Sequence, residues 1–403
     1  MKYDFDREID RRGTQSVKWE YVPNEDHSSI DPTEQFFGEE RMLPMWVADM
    51  DFPAPPAVIE ALEARARHGI FGYTTPADSY FQAVEDWMRR RHGWEIDRRW
   101  IVTTPGVIPG LKTMVRTFSA RGEKVLIQPP VYHPFYHVID DNERGLATNP
   151  LIYENTAYRM DYEDLEEKLS DPLVKMVILC NPHNPIGRVW NKEELIRLGE
   201  LCLAHDVLVV SDEIHCDLLF KGVAFTPFAT LGEAFAQNAI ICTAGSKTFN
   251  LAGLHHSNII IPNPDLREGF KKTLERSSTF GNNLFGLAAL EAAYSQGEEW
   301  LDQLLDYLDE NRQYLEDYIA EFIPQIKVVK PEGTYLIWLD CRELGLDKVG
   351  LEKFMREEAR LYLDEGYIFG PEGEGFERMN IACPRSILVD ALARLKGAVE
   401  RLP

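Results

Sequence analysis

The chain has 403 residues, more than one small core can serve, so two domains are the natural division. Hydrophobic residues make up 44% and charged residues 27%, the balance of an ordinary soluble globular protein. A net charge of −23 argues against non-specific binding to nucleic acid or to an anionic membrane surface, and no apolar stretch reaches the length of a membrane span.

In chain order, residues 1–45 are polar and broken by Pro23, Pro32 and Gly38, which reads as an arm that packs on something larger, expected to be the smaller C-terminal domain. Over 46–290, apolar runs at 124–127, 176–180, 207–210, 239–242 and 258–262 read as buried strands. They alternate with amphipathic stretches such as 191–205 and 266–278. Continuous apolar strands alternating with helices predict an α/β domain with a mostly parallel sheet covered on both faces. From 291 to 403 the texture changes. An acidic helical pattern over 298–322 precedes short strands at 334–340 and 376–382 and a closing helix at 386–401, predicting a smaller α+β domain.

Six cysteines stand at 180, 202, 216, 242, 341 and 383, with no C-x-x-C pair. A disulfide framework is not expected at this density. The first residues carry no signal-peptide or transit character, so the expected location is the reducing cytoplasm. His133 and His137, His255 and His256, and the His215-Cys216 neighbours match no metal-binding spacing, so no metal is expected. Neither a G-x-G-x-x-G after an early strand nor a G-x-S-x-G elbow is present.

The chemistry concentrates where strands end. Lys247, in Gly245-Ser246-Lys247-Thr248-Phe249, follows the 239–242 run, and Asp212 follows the 207–210 run. An amine and a carboxylate at the ends of neighbouring strands can hold an aldehyde cofactor from two sides. Pyridoxal 5′-phosphate needs such a pair, the amine for a Schiff base and the acid for its pyridinium nitrogen. Taken alone, Asp212 is as well explained as a helix N-cap. Pro105-Gly106-Val107-Ile108 turns from strand to helix, where backbone N–H groups and the helix dipole suit a phosphate; by itself this is an ordinary turn. Asn184 sits between two Asn-Pro steps that fix its direction, and its amide could donate to a ring hydroxylate. Tyr132 could stack on a cofactor ring or simply pack. Arg378 enters a short strand and could clamp a substrate carboxylate, although a single arginine is more often a surface group.

Together these residues resemble a fold-type I pyridoxal phosphate enzyme of the aspartate aminotransferase superfamily, and more closely the MalY/PatB type of cystathionine β-lyase, or C–S lyase. The resemblance runs through 43–52, 71–76, 105–107, 180–190, 211–215, 246–254, 331–335 and 378–385 in family order. It implies that Lys247 carries the cofactor as a Schiff base and shuttles protons, Asp212 pairs with the ring nitrogen, Asn184 contacts the ring oxygen and Tyr132 stacks on the ring. Ser246 and the amides of Gly106, Val107 and Ile108 would hold the phosphate, and Arg378, helped by backbone near Ala48, the substrate carboxylate. Tyr73 would reach the phosphate of a neighbouring subunit's cofactor, which implies a homodimer with shared sites. The chain departs from the superfamily pattern at His255, in place of an arginine on the phosphate, at Ala244, which lacks a hydroxyl, and at Ile186, in place of a threonine. His215 stands where a ring-contacting tyrosine is usual. The activity implied is β-elimination from sulfur amino acids, L-cystathionine giving homocysteine, pyruvate and ammonia. The alternatives are an aminotransferase on the same scaffold, or a regulatory role through protein contact.

Overall fold

Seven strands build the sheet on which the candidate site rests. They are β1 (Ile101–Thr104), β2 (Lys124–Ile127), β3 (Gly145–Thr148), β4 (Val174–Cys180), β5 (Leu208–Asp212), β6 (Ala239–Thr243) and β7 (Ser257–Ile260). The structure is a computed structural model that describes residues 3–24, 29–38, 40–278 and 282–402. The strand order is β1-β7-β6-β5-β4-β2-β3. Every neighbouring pair is parallel except the two that β7 makes. The expected mostly parallel sheet is present, and β7 is its antiparallel member. Between Thr243 and Ser257 the chain forms only the helical turn Gly245–Thr248 and the tighter turn Ala252–Leu254. Neither is long enough to carry the chain across the sheet, so it returns beside β6 in the opposite direction.

Side-chain alternation along the central strands feeds two cores. Val209 joins Val177 and Leu179 on one face, whereas Leu208 and Val210 join Met176 and Ile178 on the other. All five residues of β5 are buried, as expected of a strand covered on both sides. Helix α1 (Pro56–His68), helix α2 (Asp78–His92) and the later helix Leu284–Gln296 pack together on the first face. Helix α3 (Val107–Phe118) covers the second face through Leu111, Met114 and Val115. Helix α4 (Lys192–Ala204) starts at a capping box in which Asn191 and Glu194 satisfy each other's backbone N–H groups. Helix α5 (Pro264–Arg276) starts with its proline in the first turn and Asn263 as cap. These two helices lie close to the predicted 191–205 and 266–278; α1 and α2 were not singled out by the sequence.

A second sheet follows, with β8 (Lys327–Val328), β9 (Leu336–Asp340), β10 (Asp364–Glu365) and β11 (Phe376–Asn380) in the order β8-β9-β11-β10, all antiparallel. Its register sets Arg378 between Trp338 and Asp364. The Trp338 and Phe376 rings stack at 5.3 Å and 7°. The acidic helix spans Glu298–Phe322, the predicted range, and packs with the closing helix Arg385–Val399. The N-terminal segment clamps onto these elements. Leu43–Pro44 pairs with Leu361–Tyr362, Phe5 sits among Phe52, Trp300 and Tyr307, and buried Lys18 donates to Asp51 at 2.7 Å. Among the described residues no helix is long and apolar enough to cross a membrane. All six cysteines are buried and unpaired.

Candidate active site

In an open parallel sheet, ligands bind in the crevice beyond the carboxyl ends of the strands, where each chain must turn away and leave its last side chains at a rim. Here β4, β5 and β6 end level, because Asp212 is in register with both Cys180 and Cys242. The helical turn carrying Lys247 begins just past β6. The cavity above this rim holds about 490 Å³ of empty space, part of it open to solvent, and is lined by Val107, Ile108, Tyr132, Cys180, Asn184, Asp212, Ile214, His215 and Lys247. Seven of the residues expected from the sequence therefore face one space.

Burial sets the electrostatics of this rim. Asp212 is buried and its carboxyl is pushed up to about 7 by loss of solvent, against the opposing pull of the Ile214 N–H and Lys247. Its Oδ1 accepts from Ile214 N at 3.3 Å, and among the described residues it forms no ion pair. Lys247 is lowered to about 8, again chiefly by burial, with Arg378 adding to the effect and Asp49 and Asp212 opposing it. About a tenth of its amine is therefore uncharged near pH 7, far more than for an ordinary lysine, and the uncharged form is the nucleophile. Its Nζ donates to the Ala48 carbonyl at 2.7 Å, and Tyr335 Oη donates to the same oxygen at 2.9 Å. Burial holds His215 well below its usual range, so the ring is neutral, and among the described residues its buried Nδ1 has no partner. Burial pushes the Tyr132 phenol up to about 12 and raises the Cys180 thiol.

Asn184 and Arg378 connect the two sheets. Arg378 Nη1 donates to Asn184 Oδ1 at 2.9 Å, which leaves the Asn184 amide nitrogen as the end with donors to offer. Arg378 Nη2 donates to the Trp46 carbonyl at 2.9 Å and to the buried carboxylate of Asp364. Arg378 is thus buried and engaged through both terminal nitrogens, not a surface arginine, and it reaches the cavity through Asn184.

The remaining expected residues are not part of the cavity lining. Gly106 is the N-cap of α3 at φ +116, a conformation that favours glycine, and the first turn of the helix opens into the cavity through Val107 and Ile108. The first amides of a helix have no partners within it and can face an anion. Ser246 is half-buried beside Lys247, outside the cavity wall. The backbone of Ala48 meets Lys247 through its carbonyl, which accepts and cannot itself donate to a carboxylate. Tyr73 is fully exposed on its own chain, in a loop with exposed Ile70 and Phe71. His255 is exposed, at φ +45; Ile186 and Ala244 are buried apolar residues.

Two residues of consequence escaped the sequence. Asp364 meets Arg378 only through the cross-strand register of β10 and β11, which no local pattern announces. Asp217 lies beneath the Lys247 turn, accepting from Thr248 Oγ1 at 2.8 Å, His92 Nε2 at 2.8 Å and Trp87 Nε1 at 3.1 Å. It forms a cluster with His92 and Cys216, but three donors already occupy its carboxylate. It ties α2 to the turn that carries Lys247.

The residues present suit pyridoxal phosphate. A buried acid with no ion pair to a described residue, an amine whose charge burial disfavours, an aromatic wall and an uncovered helix N-terminus converge on one cavity. Residues 41–395 match the aminotransferase class I and II family. The chain is 48% identical over 397 residues to cystathionine beta-lyase PatB of Bacillus subtilis, covering 98% of this chain and all of that one. It is 35% identical over 400 residues to protein MalY of Escherichia coli, with 99% of each covered. The crystal structure of cystalysin from Treponema denticola, which contains a pyridoxal 5′-phosphate cofactor, superposes over the full length of both chains with a TM-score of 0.94 and 39% identity.

Proposed function

We infer the function from one premise: the chain belongs to the aminotransferase class I and II family. It is a pyridoxal 5′-phosphate-dependent carbon–sulfur lyase that performs β-elimination on sulfur amino acids, L-cystathionine giving homocysteine, pyruvate and ammonia. The observation that carries this reading is the meeting of Lys247 and Asp212 across one cavity at the ends of neighbouring strands.

When bound, the cofactor supplies an aldehyde that captures amines and a cationic ring that absorbs the electrons left at Cα. The chain's own residues do the rest. Lys247, with its amine largely uncharged above pH 8, binds the aldehyde and, once displaced by the substrate amine, takes the Cα proton. Asp212 keeps a positive charge at the ring nitrogen, and that charge in turn returns its carboxyl to the ionised form. We assign Tyr132 to the ring face, Asn184 to the ring oxygen, and the first amides of α3 from Gly106 through Val107 and Ile108, with Ser246, to the phosphate. Arg378 receives the substrate carboxylate, with the Ala48 segment alongside. His215 stays neutral and so does not compete with Asp212 for the positive charge.

Three further assignments belong to this proposal. The chain works as a homodimer in which Tyr73 enters the partner's site, supported by the exposed run of Ile70, Phe71 and Tyr73. It acts in the cytoplasm, where six unpaired buried cysteines stay reduced. It divides into an arm at 1–45, a cofactor-binding domain at 46–290 and a small domain at 291–403.

The test is to supply the purified protein with pyridoxal phosphate and L-cystathionine and to measure pyruvate and free thiol. Equimolar release of both is expected. Amino-group transfer to a keto acid without pyruvate would replace this reading with an aminotransferase.

A further inference from the structure

The guanidinium of Arg378 already has an anionic partner. Asp364 lies directly across the sheet from it, and both side chains are less than one-tenth exposed. With Nη1 on Asn184, Nη2 on Trp46 and Asp364, and a cation–π contact to Phe369 at 4.9 Å, the arginine is fixed in place. Its Nε is buried and has no partner among the described residues. A substrate carboxylate arriving here would place two anions on one buried cation. Neighbouring like charges in a dry site do not both remain ionised; one takes a proton.

We propose that Asp364 is the resident counterion of Arg378 and a specificity-determining residue: it yields the guanidinium by accepting one proton from solvent as the substrate carboxylate binds. This rests on the reading that Arg378 receives that carboxylate. The exchange balances, because the incoming anion replaces the charge that the proton removes from Asp364, and the site keeps its net charge. The path for the proton is open, since Asp364 also borders a solvent-connected cavity with Trp46, Tyr362 and Glu365.

The groups around Asp364 make protonation easy. Glu365 on its own strand repels its negative charge, and Glu377 on β11 is an acid whose carboxyl burial, Glu365 and Asp364 raise well above its usual range. Arg356 is occupied by Glu352 and Glu365 and does not pair with Asp364. The Tyr362 and Tyr132 phenols are neutral; His133 and His137 face the same cavity from the neighbouring helix. Burial, with Glu365, pushes the Asp364 carboxyl up to about 7 in spite of Arg378. A plain structural salt bridge would stay ionised throughout the working range.

The holoenzyme is tested with L-alanine, an amino acid without a leaving group, its binding followed by the visible absorbance of the cofactor. The wild-type dissociation constant divided by that of Asp364→Asn is expected to grow with pH above 7, approaching tenfold per unit, because only the wild type must take up a proton. For L-cystathionine the same trend is expected in KM, with kcat little changed. Asp364→Ala should follow the same course if the asparagine variant folds poorly. A ratio that stays constant across pH makes Asp364 a brace for the arginine and overturns the proposal. Arg378→Lys is expected to weaken L-alanine binding by about 10–100-fold. Unchanged binding there would remove the reading of Arg378 itself, which is a separate failure.

Discussion

Two buried aspartates, one on each sheet, are pushed to the same range by burial and are used in opposite ways. Asp212 ends β5, at a rim where the backbone turns away, and accepts only a neighbouring N–H. Asp364 lies within the small sheet, opposite Arg378, and is paired. An acid at a strand end faces empty space and can wait for a cation from outside. An acid inside a strand pair faces its cross-strand neighbour and meets its cation on folding. The same desolvation therefore makes the first a receptor for positive charge and the second a gate on an arginine.

The comparison breaks most directly at the rim. Lys247→Ala is expected to lower pyruvate release by more than about 10⁴-fold, since one amine both captures the aldehyde and moves the Cα proton. Residual turnover near the wild-type rate would remove Lys247 from the chemistry. Asp212→Asn should cost about 10²–10³-fold in kcat, the usual scale for one preorganised electrostatic partner, while the protein still turns yellow with pyridoxal phosphate. Loss of colour together with rate would show that Asp212 holds the cofactor and does not tune it.

A third variant sharpens the contrast by pH. Glu213, beside Asp212, is raised to about 8 by burial, with its Oε1 accepting from Ser211 Oγ and Phe228 N, both at 2.9 Å. Because it binds its proton more tightly folded than unfolded, its contribution is complete below the unfolded carboxyl range. That contribution is lost as pH rises through about 8. Glu213→Gln should flatten the fall of thermal stability with pH between roughly 5 and 8, by up to about 1.4 kcal/mol per pH unit. An unchanged slope would put the proton elsewhere. The smallest effect belongs outside both regions: Asn191→Ala removes the cap of α4 and should cost about 1 kcal/mol in denaturant unfolding with activity unaltered.

What the sequence could reveal follows the same division. Lys247, Asp212 and Asn184 were legible because each stands next to an unbroken apolar run, and runs of that kind become parallel strands whose ends form a crevice. The helix at Glu298–Phe322 was legible from its own periodicity. The antiparallel course of β7 was not, because direction depends on what the short 244–256 connection can span. Asp364 was illegible for a related reason. Strand register is a tertiary property, and β10 is only two residues long. Tyr73 lies on an exposed loop, and only the family resemblance drew attention to it.

The cysteines described with the fold bear on how this protein survives its own product. A reaction that liberates homocysteine bathes its walls in a reactive mercaptan. Cys180 forms part of that wall, and burial and the nearby Asp212 keep its sulfur protonated and therefore a poor nucleophile. Cys242, level with it across β5, is silenced in the same way. Both thiols are thus held in the form least able to attack a disulfide, which the liberated mercaptan becomes once an oxidant couples two of its molecules.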